Sequence, residues 1–171
     1  MNLPAYLYAA MTAWAPPSSH AYAEAPAITE ARYQAIASDV ASVALDPDEQ
    51  PLFAGDDGRA RTAVLLLAVA SLESGGFRGD VQSCAVTGDH GRARGLFQSH
   101  RSGDRVCTTA REATRVALEQ IRESFVMCER EDPAVWLAGY VSGSCGRGWM
   151  ASRRRWDRAA DWMKTHPVAA S

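Results

Sequence analysis

The sequence predicts a small, mostly α-helical protein of the α+β class, with one short β-hairpin and an N-terminal extension. Every residue from 63 to 70 is apolar, within a segment that contains no glycine or proline. Two later segments, 108–130 and 150–166, repeat apolar residues at helical spacing. By contrast, residues 78–105 hold five glycines between short mixed runs, which predicts a loop with a hairpin rather than another helix.

Length and composition indicate one globular domain, and its charge is distributed unevenly along the chain. The chain has 171 residues, 47% of them hydrophobic, and a net charge of −2. Residues 1–58 are acidic, and residues 59–171 carry an excess of arginine that would favour an anionic polymer. A solvated arginine-rich surface explains that excess equally well. Nucleic-acid binding is a third interpretation, which rests only on Arg153–Arg155 and nearby arginines, and no specific nucleic-acid partner is expected.

Residues 1–27 form the first predicted segment, and two interpretations stay open. The letters AYA before Glu24 resemble the cleavage site of a signal peptide, although the stretch lacks a basic start and Pro4 interrupts it. Alternatively, the segment docks on a protein surface, with a proline-rich linker over 14–27. No run reaches the ~20 apolar residues of a membrane-spanning helix, so we expect no transmembrane segment.

The next elements are a helix, an acidic loop and a buried helix. Residues 28–45 place apolar side chains near helical spacing, with Thr29 or Ser38 available as a cap. An acidic loop closes the second predicted segment, 28–58. The apolar run lies in 59–74, which is too long for a strand and predicts a buried helix. Gly75 and Gly76 are expected to end it.

Three helices are predicted in the C-terminal half. The segment 108–130 has an apolar stripe, and Thr109 with Glu112 has the spacing of a capping box. The segment 132–143 begins at a proline and ends at a glycine. The last helix, 150–166, is expected to place its tryptophans on one side and its arginines on the other.

Four cysteines, Cys84, Cys107, Cys128 and Cys145, are widely spaced and lack the pattern of a zinc site. Their even number favours two disulfides in an oxidising compartment. Free thiols in a reducing cell are the alternative. The residues alone leave three pairings open.

Glu73 is the first candidate for chemistry. It lies in the last turn of the predicted buried helix, where the negative end of the helix dipole and apolar neighbours disfavour a carboxylate. Both effects raise the pKa of its carboxyl group. A protonated carboxyl near neutral pH is what a general acid needs to cleave a glycosidic bond. A solvent-facing glutamate at a helix end is the competing interpretation.

Two further stretches offer groups for a sugar. In the letters GDHGRARGLFQS, residues 88–99, Gln98 can hydrogen-bond an amide or hydroxyl, and Gly91 and Gly95 would let the backbone approach a ligand. In AGYVSGSCG, 138–146, Tyr140 has a flat face and a hydroxyl. An ordinary hairpin turn and a buried tyrosine are the competing interpretations.

Taken together, three motifs resemble the soluble type of lytic transglycosylase within the lysozyme-like superfamily. They are Glu73-Ser74, Gly95-Leu96-Phe97-Gln98 and Ala138-Gly139-Tyr140-Val141-Ser142-Gly143. Phe97 replaces the usual methionine, and Val141 replaces the usual asparagine. The resemblance covers residues 59–165, so it implies a lysozyme-like catalytic domain over 59–171.

The resemblance implies cleavage of peptidoglycan glycan strands between N-acetylmuramic acid and N-acetylglucosamine. Glu73 would be the catalytic acid, and Ser74 would steady it by a hydrogen bond. The substrate would contact Ser74, Phe97, Gln98, Tyr140 and Gly143. No cofactor and no metal is implied.

Asp89 introduces an alternative reaction. The stretch around it also resembles goose-type lysozyme, in which an aspartate at this position helps place a water and gives hydrolysis. An Asp-x-Gly turn residue is the competing interpretation of Asp89.

With the cleft placed by resemblance, a disulfide pairing can be hypothesised. Cys84–Cys107 would close the loop that carries Asp89 and Gln98, and Cys128–Cys145 would brace the opposite wall. Closing a loop of about 22 residues stabilises by roughly 3 kcal/mol in the chain-entropy treatment.

Two settings fit such an enzyme. One is a phage virion, where residues 1–58 would contact other virion proteins of the tail or portal. The other is a bacterial periplasm or the extracellular space. A structural or binding protein that kept a lysozyme-like fold without activity is the alternative from another class.

Overall fold

The computed structural model describes residues 2–21, 23–100, 103–129 and 132–167. Its main helices are α1 Leu3–Trp14, α2 Pro26–Leu45, α3 Gly58–Glu73, α4 Gly79–Gln82, α5 Ala110–Met127, α6 Ala138–Ser142 and α7 Trp149–Thr165. Short 3-10 turns occur at Pro17–His20, Asp89–Gly91, Gly103–Cys107 and Pro133–Val135. None of the helices in these ranges is both long and apolar enough to cross a membrane.

The mostly helical character predicted from sequence is confirmed, whereas the β-hairpin is not. Within the described ranges, the loop after α4 contains only two isolated antiparallel bridges, Gly88 with Ala93 and Arg94 with Ser99. Asp89, His90 and Gln98 have positive φ values of 44°, 55° and 48°. Because left-handed backbone interrupts an extended strand, these bridges do not grow into a ladder.

Helix α3 is the centre of the protein, as the apolar run predicted. Its residues from Thr62 to Ser71 are all buried. It ends where the glycines predicted: Gly75 and Gly76 have φ values of 63° and 88°. The amide of Gly76 donates to the carbonyl of Ser71, five residues earlier, at 2.8 Å. This is the 6→1 hydrogen bond of a Schellman motif. This ending leaves Glu73 in the final turn.

The N-terminal residues pack on their own chain. Residues 3–14 form a helix, which the sequence analysis did not predict, and Asn2 caps it by accepting from Ala5 N. Leu3, Leu7 and Met11 are buried in one hydrophobic cluster that also contains residues of α2, α3 and α5. The proposed signal cleavage region includes residue 22, which lies outside the described part of the chain.

Helix α2 begins earlier than predicted, at Pro26, and no side chain caps it. Thr29, a suggested cap, instead donates its hydroxyl to Glu24 at 2.5 Å. The cap predicted for α5 is confirmed, because Thr109 accepts from Glu112 N at 3.1 Å.

The last two predicted helices are corrected in part. Residues 132–143 form a 3-10 turn followed by α6 rather than one helix. In α7 the arginines do not all face solvent: Arg155 is only 8% exposed. Its tryptophans also separate, since Trp156 packs edge-on against Phe53 and Trp162 packs against Tyr6.

Both hypothesised disulfides are confirmed. Cys84 bonds Cys107 and Cys128 bonds Cys145, with Cα–Cα distances of 5.6 and 5.3 Å. The first bond closes the loop that begins after α4, and the second joins the end of α5 to the segment between α6 and α7.

Candidate active site

A cleft of about 740 Å³ lies where the end of α3 meets the loop 88–100, α5 and α6. Glu73 lines it from α3, and Asp89, Phe97 and Gln98 line it from the loop. Tyr140 and Gly143 line it from α6 and the residue that ends α6. The structure therefore brings together every predicted catalytic and substrate-binding residue except Ser74.

Glu73 is mostly buried, with 18% of its side chain exposed. Burial raises the pKa of the Glu73 carboxyl above its ordinary value, while Arg155 and, more weakly, His100 act in the opposite direction. Burial is the largest of these effects, so the protonated form is favoured more than in a solvated glutamate. The direction of the shift agrees with the one expected from sequence.

Arg155 is the closest charged partner of Glu73, and the sequence analysis missed it. Its Nε and Nη2 donate to Glu73 Oε1 at 3.1 and 2.7 Å. A periodicity signal was available, because residue 155 falls on the same helical stripe as the buried Ser152, Ala159 and Trp162. An arginine on a buried stripe requires a polar partner inside the protein.

Ser74 does not steady Glu73 as expected. Its hydroxyl donates to Ala70 O at 2.6 Å and accepts from Phe77 N at 2.8 Å. The residue is 1% exposed and does not line the cleft. Its hydrogen bonds instead satisfy backbone groups at the end of α3, so Ser74 shapes the turn that follows Glu73.

Tyr140 and Phe97 link two walls of the cleft. The hydroxyl of Tyr140 donates to Phe97 O at 2.6 Å, and Tyr140 N donates to Ser124 Oγ at 2.8 Å. Burial, with a smaller effect from the charge of Glu73, raises the pKa of Tyr140 well above its ordinary value. Tyr140 is therefore a neutral donor that ties α6 to the loop, and Phe97 is itself only 1% exposed.

Gln98 adopts a left-handed backbone, and its Nε2 donates to Gly95 O at 3.0 Å. Gly95 does not serve a close approach of ligand, as suggested from sequence. Its φ is 70°, and a Cβ there would lie 2.5 Å from Val106 O, so the glycine is required by the protein's own backbone. At Gly91, by contrast, an added Cβ would meet nothing within 4 Å, so the space beside this glycine is open.

Asp89 lies on the cleft wall with 40% of its side chain exposed. Its Oδ2 is 3.2 Å from Arg92 Nη2 and 3.6 Å from His100 Nδ1. His100 also lines the cleft and was not singled out from sequence. Asp89 thus has two basic neighbours and still reaches the cleft.

Helix α5 contributes three polar residues that the sequence analysis overlooked, Gln120, Glu123 and Ser124. Gln120 Oε1 accepts from Ser99 Oγ at 3.0 Å, which fixes the loop against the helix. Gln120 and Glu123 border the apolar stripe of α5, and spacing along that edge was the available signal. Among the described residues, no group of three or more histidine, cysteine, aspartate or glutamate side chains could hold a metal ion.

Searches of protein-family models, curated proteins and solved structures find no match to this chain.

Proposed function

We propose that this protein is a peptidoglycan-degrading glycosidase that cleaves the β-1,4 bond between N-acetylmuramic acid and N-acetylglucosamine. The observation that carries the proposal is the position of Glu73, a largely buried carboxyl with a raised pKa that lines a cleft of about 740 Å³. The resemblance of its three motifs to lytic transglycosylases supplies the substrate class and a lysozyme-like fold.

In the proposed reaction, Glu73 donates its proton to the glycosidic oxygen, and the electron pair of the breaking C1–O bond moves to that oxygen. The acetamido group of the substrate stabilises the cationic sugar. Glu73, now a carboxylate, accepts the proton of the C6 hydroxyl as that oxygen bonds to C1. The product is an anhydro sugar, and the acid is regenerated without a second carboxylate.

Asp89 supports a hydrolytic variant of the same cleavage. If Asp89 orients a water and accepts its proton, the water oxygen bonds to C1 and a reducing end results. The observation that favours this variant is that Asp89 reaches the cleft with His100 beside it. The two reactions differ in product and can be separated directly.

A binding module without activity is the second candidate, and the Glu73–Arg155 pair favours it. In some proteins a buried ion pair specifies the fold and has no further role. In that case Glu73 would be retained for structure, and removing its charge would change stability but no reaction.

The test digests purified cell walls with wild-type protein, Glu73→Gln, and Glu119→Gln as a control on an exposed position of α5. Mass spectrometry of the soluble products is expected to show muropeptides with the wild type and control only. Anhydro ends would identify the transglycosylase reaction, and reducing ends the hydrolase. Equal product from Glu73→Gln would refute the proposal, and no product from any form would favour the binding module.

The setting of this activity is proposed with it. Two disulfides are compatible with an extracellular or periplasmic location. A phage virion would place the enzyme at the wall during infection, with exposed apolar residues of α2 such as Ile28 and Leu45 available to a tail or portal protein. Co-purification with virions, compared with release into the medium, tests the two settings.

A further inference from the structure

We propose that Arg155 is the positioning residue of Glu73: it holds Oε1 with two N–H groups and leaves Oε2 as the oxygen that carries the proton to the glycosidic bond. This inference rests on the proposed function, since it assigns a role within that reaction. It makes α7, which no sequence motif marks, part of the catalytic arrangement.

The contact between Arg155 and Glu73 is asymmetric. Arg155 Nε and Nη2 both donate to Oε1, at 3.1 and 2.7 Å, rather than one to each oxygen in a parallel fork. Among the described residues, no hydrogen bond reaches Oε2. Two charge-assisted hydrogen bonds favour negative charge on Oε1, so the proton of the neutral acid belongs on Oε2.

Hydrogen bonds and burial fix the guanidinium of Arg155 in place. Its Nη1 donates to Ala151 O at 2.6 Å within α7, and 10% of its side chain is exposed. The hydroxyl of Ser152 donates to Ala134 O and anchors the same turn of α7. At the other end of the helix, Tyr6 OH donates to His166 O at 2.6 Å. The guanidinium therefore has a fixed place from which to orient a carboxyl group.

Several charged and titratable groups surround Glu73. From α7, Arg158 lies close to Arg155 but donates to Ser71 Oγ at 2.5 Å rather than to the glutamate. From the loop, His100 and Asp89 line the same cleft, and Glu123 and Tyr140 line it from α5 and α6. Among the described residues, Arg155 is the cation in direct contact with Glu73. It lowers the pKa of Glu73, against the larger effect of burial.

This balance has a measurable consequence. A general acid acts only while protonated, so activity falls as pH rises through its pKa. Removing the Arg155 cation leaves only the weaker effect of His100 to oppose burial, and therefore raises the pKa of Glu73. The alkaline limb of the pH profile then moves to higher pH, even though a loosely held acid reacts more slowly.

The experiment measures kcat and kcat/KM against pH on soluble peptidoglycan fragments for Arg155→Met, Arg155→Lys and the control Arg154→Met, which alters an exposed arginine on the same helix. Arg155→Met is expected to lower kcat by about 100-fold and to move the alkaline limb upward. Arg155→Lys keeps the cation but loses the paired donors, so it should lower kcat less and leave the limb in place. The control should match wild type.

Several results would overturn the inference. Arg155→Met with a wild-type kcat and pH profile would do so, even if its thermal stability were lower, because only a structural role would remain. If Arg155→Met does not fold, Arg155→Lys decides, and an unchanged kcat in that variant refutes the role. Failure of the proposed function is separate: it appears as full activity in Glu73→Gln, whatever Arg155 does.

Discussion

The chain on either side of the cleft is held in different ways. The turn after α3, at Gly76 and Phe77, is fixed by buried side chains from the N-terminal part of the protein. His20 Nε2 lies 2.8 Å from Gly76 O, and Tyr33 OH donates to the same carbonyl at 3.0 Å. Arg32 Nη1 donates to Phe77 O. We call this set of contacts the N-terminal brace.

The loop 88–100, which forms the other wall, is held from α5 and α6 instead: Gln120 Oε1 accepts from Ser99 Oγ, and Tyr140 OH donates to Phe97 O. It contains two isolated bridges and the left-handed residues Asp89, His90 and Gln98. The disulfide Cys84–Cys107 spans it from outside. Non-glycine residues in left-handed backbone cost of order 1–3 kcal/mol each and cluster at functional sites.

The contrast suggests that one region determines stability and the other determines activity. The N-terminal brace fixes the backbone directly after Glu73 and should determine global stability. The loop presents Asp89 and Gln98 to substrate and should determine activity more than stability. Variants in the two regions can therefore be compared by measuring both properties for each.

The largest effect is expected for Phe77→Ala in the N-terminal brace. Phe77 is fully buried and packs edge-on against Tyr33 at 5.5 Å between ring centres. Its loss leaves a cavity and should lower the free energy of unfolding by about 3–5 kcal/mol. Urea denaturation measures this, with Val126→Ala, which is 80% exposed, as the control. If Phe77→Ala lowers the free energy of unfolding by less than removal of the Cys84–Cys107 bond does, the ranking of the two regions is reversed.

Replacing Cys84 and Cys107 together by serine tests the loop. The bond spans 23 positions, and its removal should lower the free energy of unfolding by roughly 3 kcal/mol. Wall cleavage should fall at temperatures where circular dichroism still shows the native helices. The matched control replaces Cys128 and Cys145. Full activity in the loop variant would show that the bond does not organise the cleft.

Tyr33→Phe removes a single hydroxyl from the N-terminal brace. Burial raises the pKa of Tyr33 to about 12, so the hydroxyl is a donor at neutral pH, and its single proton lies within reach of Ala15 O at 2.9 Å and Gly76 O at 3.0 Å. The substitution removes the donor to Ala15 O, whereas Gly76 O still lies 2.8 Å from His20 Nε2, and the unsatisfied carbonyl should cost about 1–3 kcal/mol of stability. Activity measured well below the melting temperature should stay close to wild type. A large loss of kcat with unchanged stability would contradict the assignment of stability to the N-terminal brace and of activity to the loop.

The smallest effect is expected from the ion pair of Glu24 with Arg32. The hydrogen bond from Arg32 lowers the pKa of Glu24. The folded protein therefore binds this proton less readily than the unfolded chain, and the pair stabilises above the unfolded pKa. That stability, on the order of 1 kcal/mol or less for a partly exposed pair, is lost as pH falls through the lowered pKa. Glu24→Gln should flatten the acid side of a stability–pH curve, and an unchanged curve would exclude the pair as its source.

Local features of the fold were predictable because they depend on neighbouring residues. The apolar run and the two glycines placed Glu73 in the last turn of α3, and the Thr109 cap was evident from its spacing. The β-hairpin prediction was wrong: the glycines of the loop were recognised, but the positive φ values of Asp89 and Gln98, which interrupt extended backbone, were not foreseen. Ser74 was misjudged because backbone groups at the helix end compete for its hydroxyl.

The sequence by itself determined where α3 begins and ends, that Glu73 closes it, and which residues stand nearby along the chain. Backbone preferences and hydrogen bonds within a few residues suffice for that. Only the tertiary structure decided that Arg155, 82 positions away, contacts Glu73, and that His20 supports Gly76, 56 positions away. These contacts arise when α7 and the N-terminal segment pack against α3, and that packing depends on the whole core rather than on any one stretch.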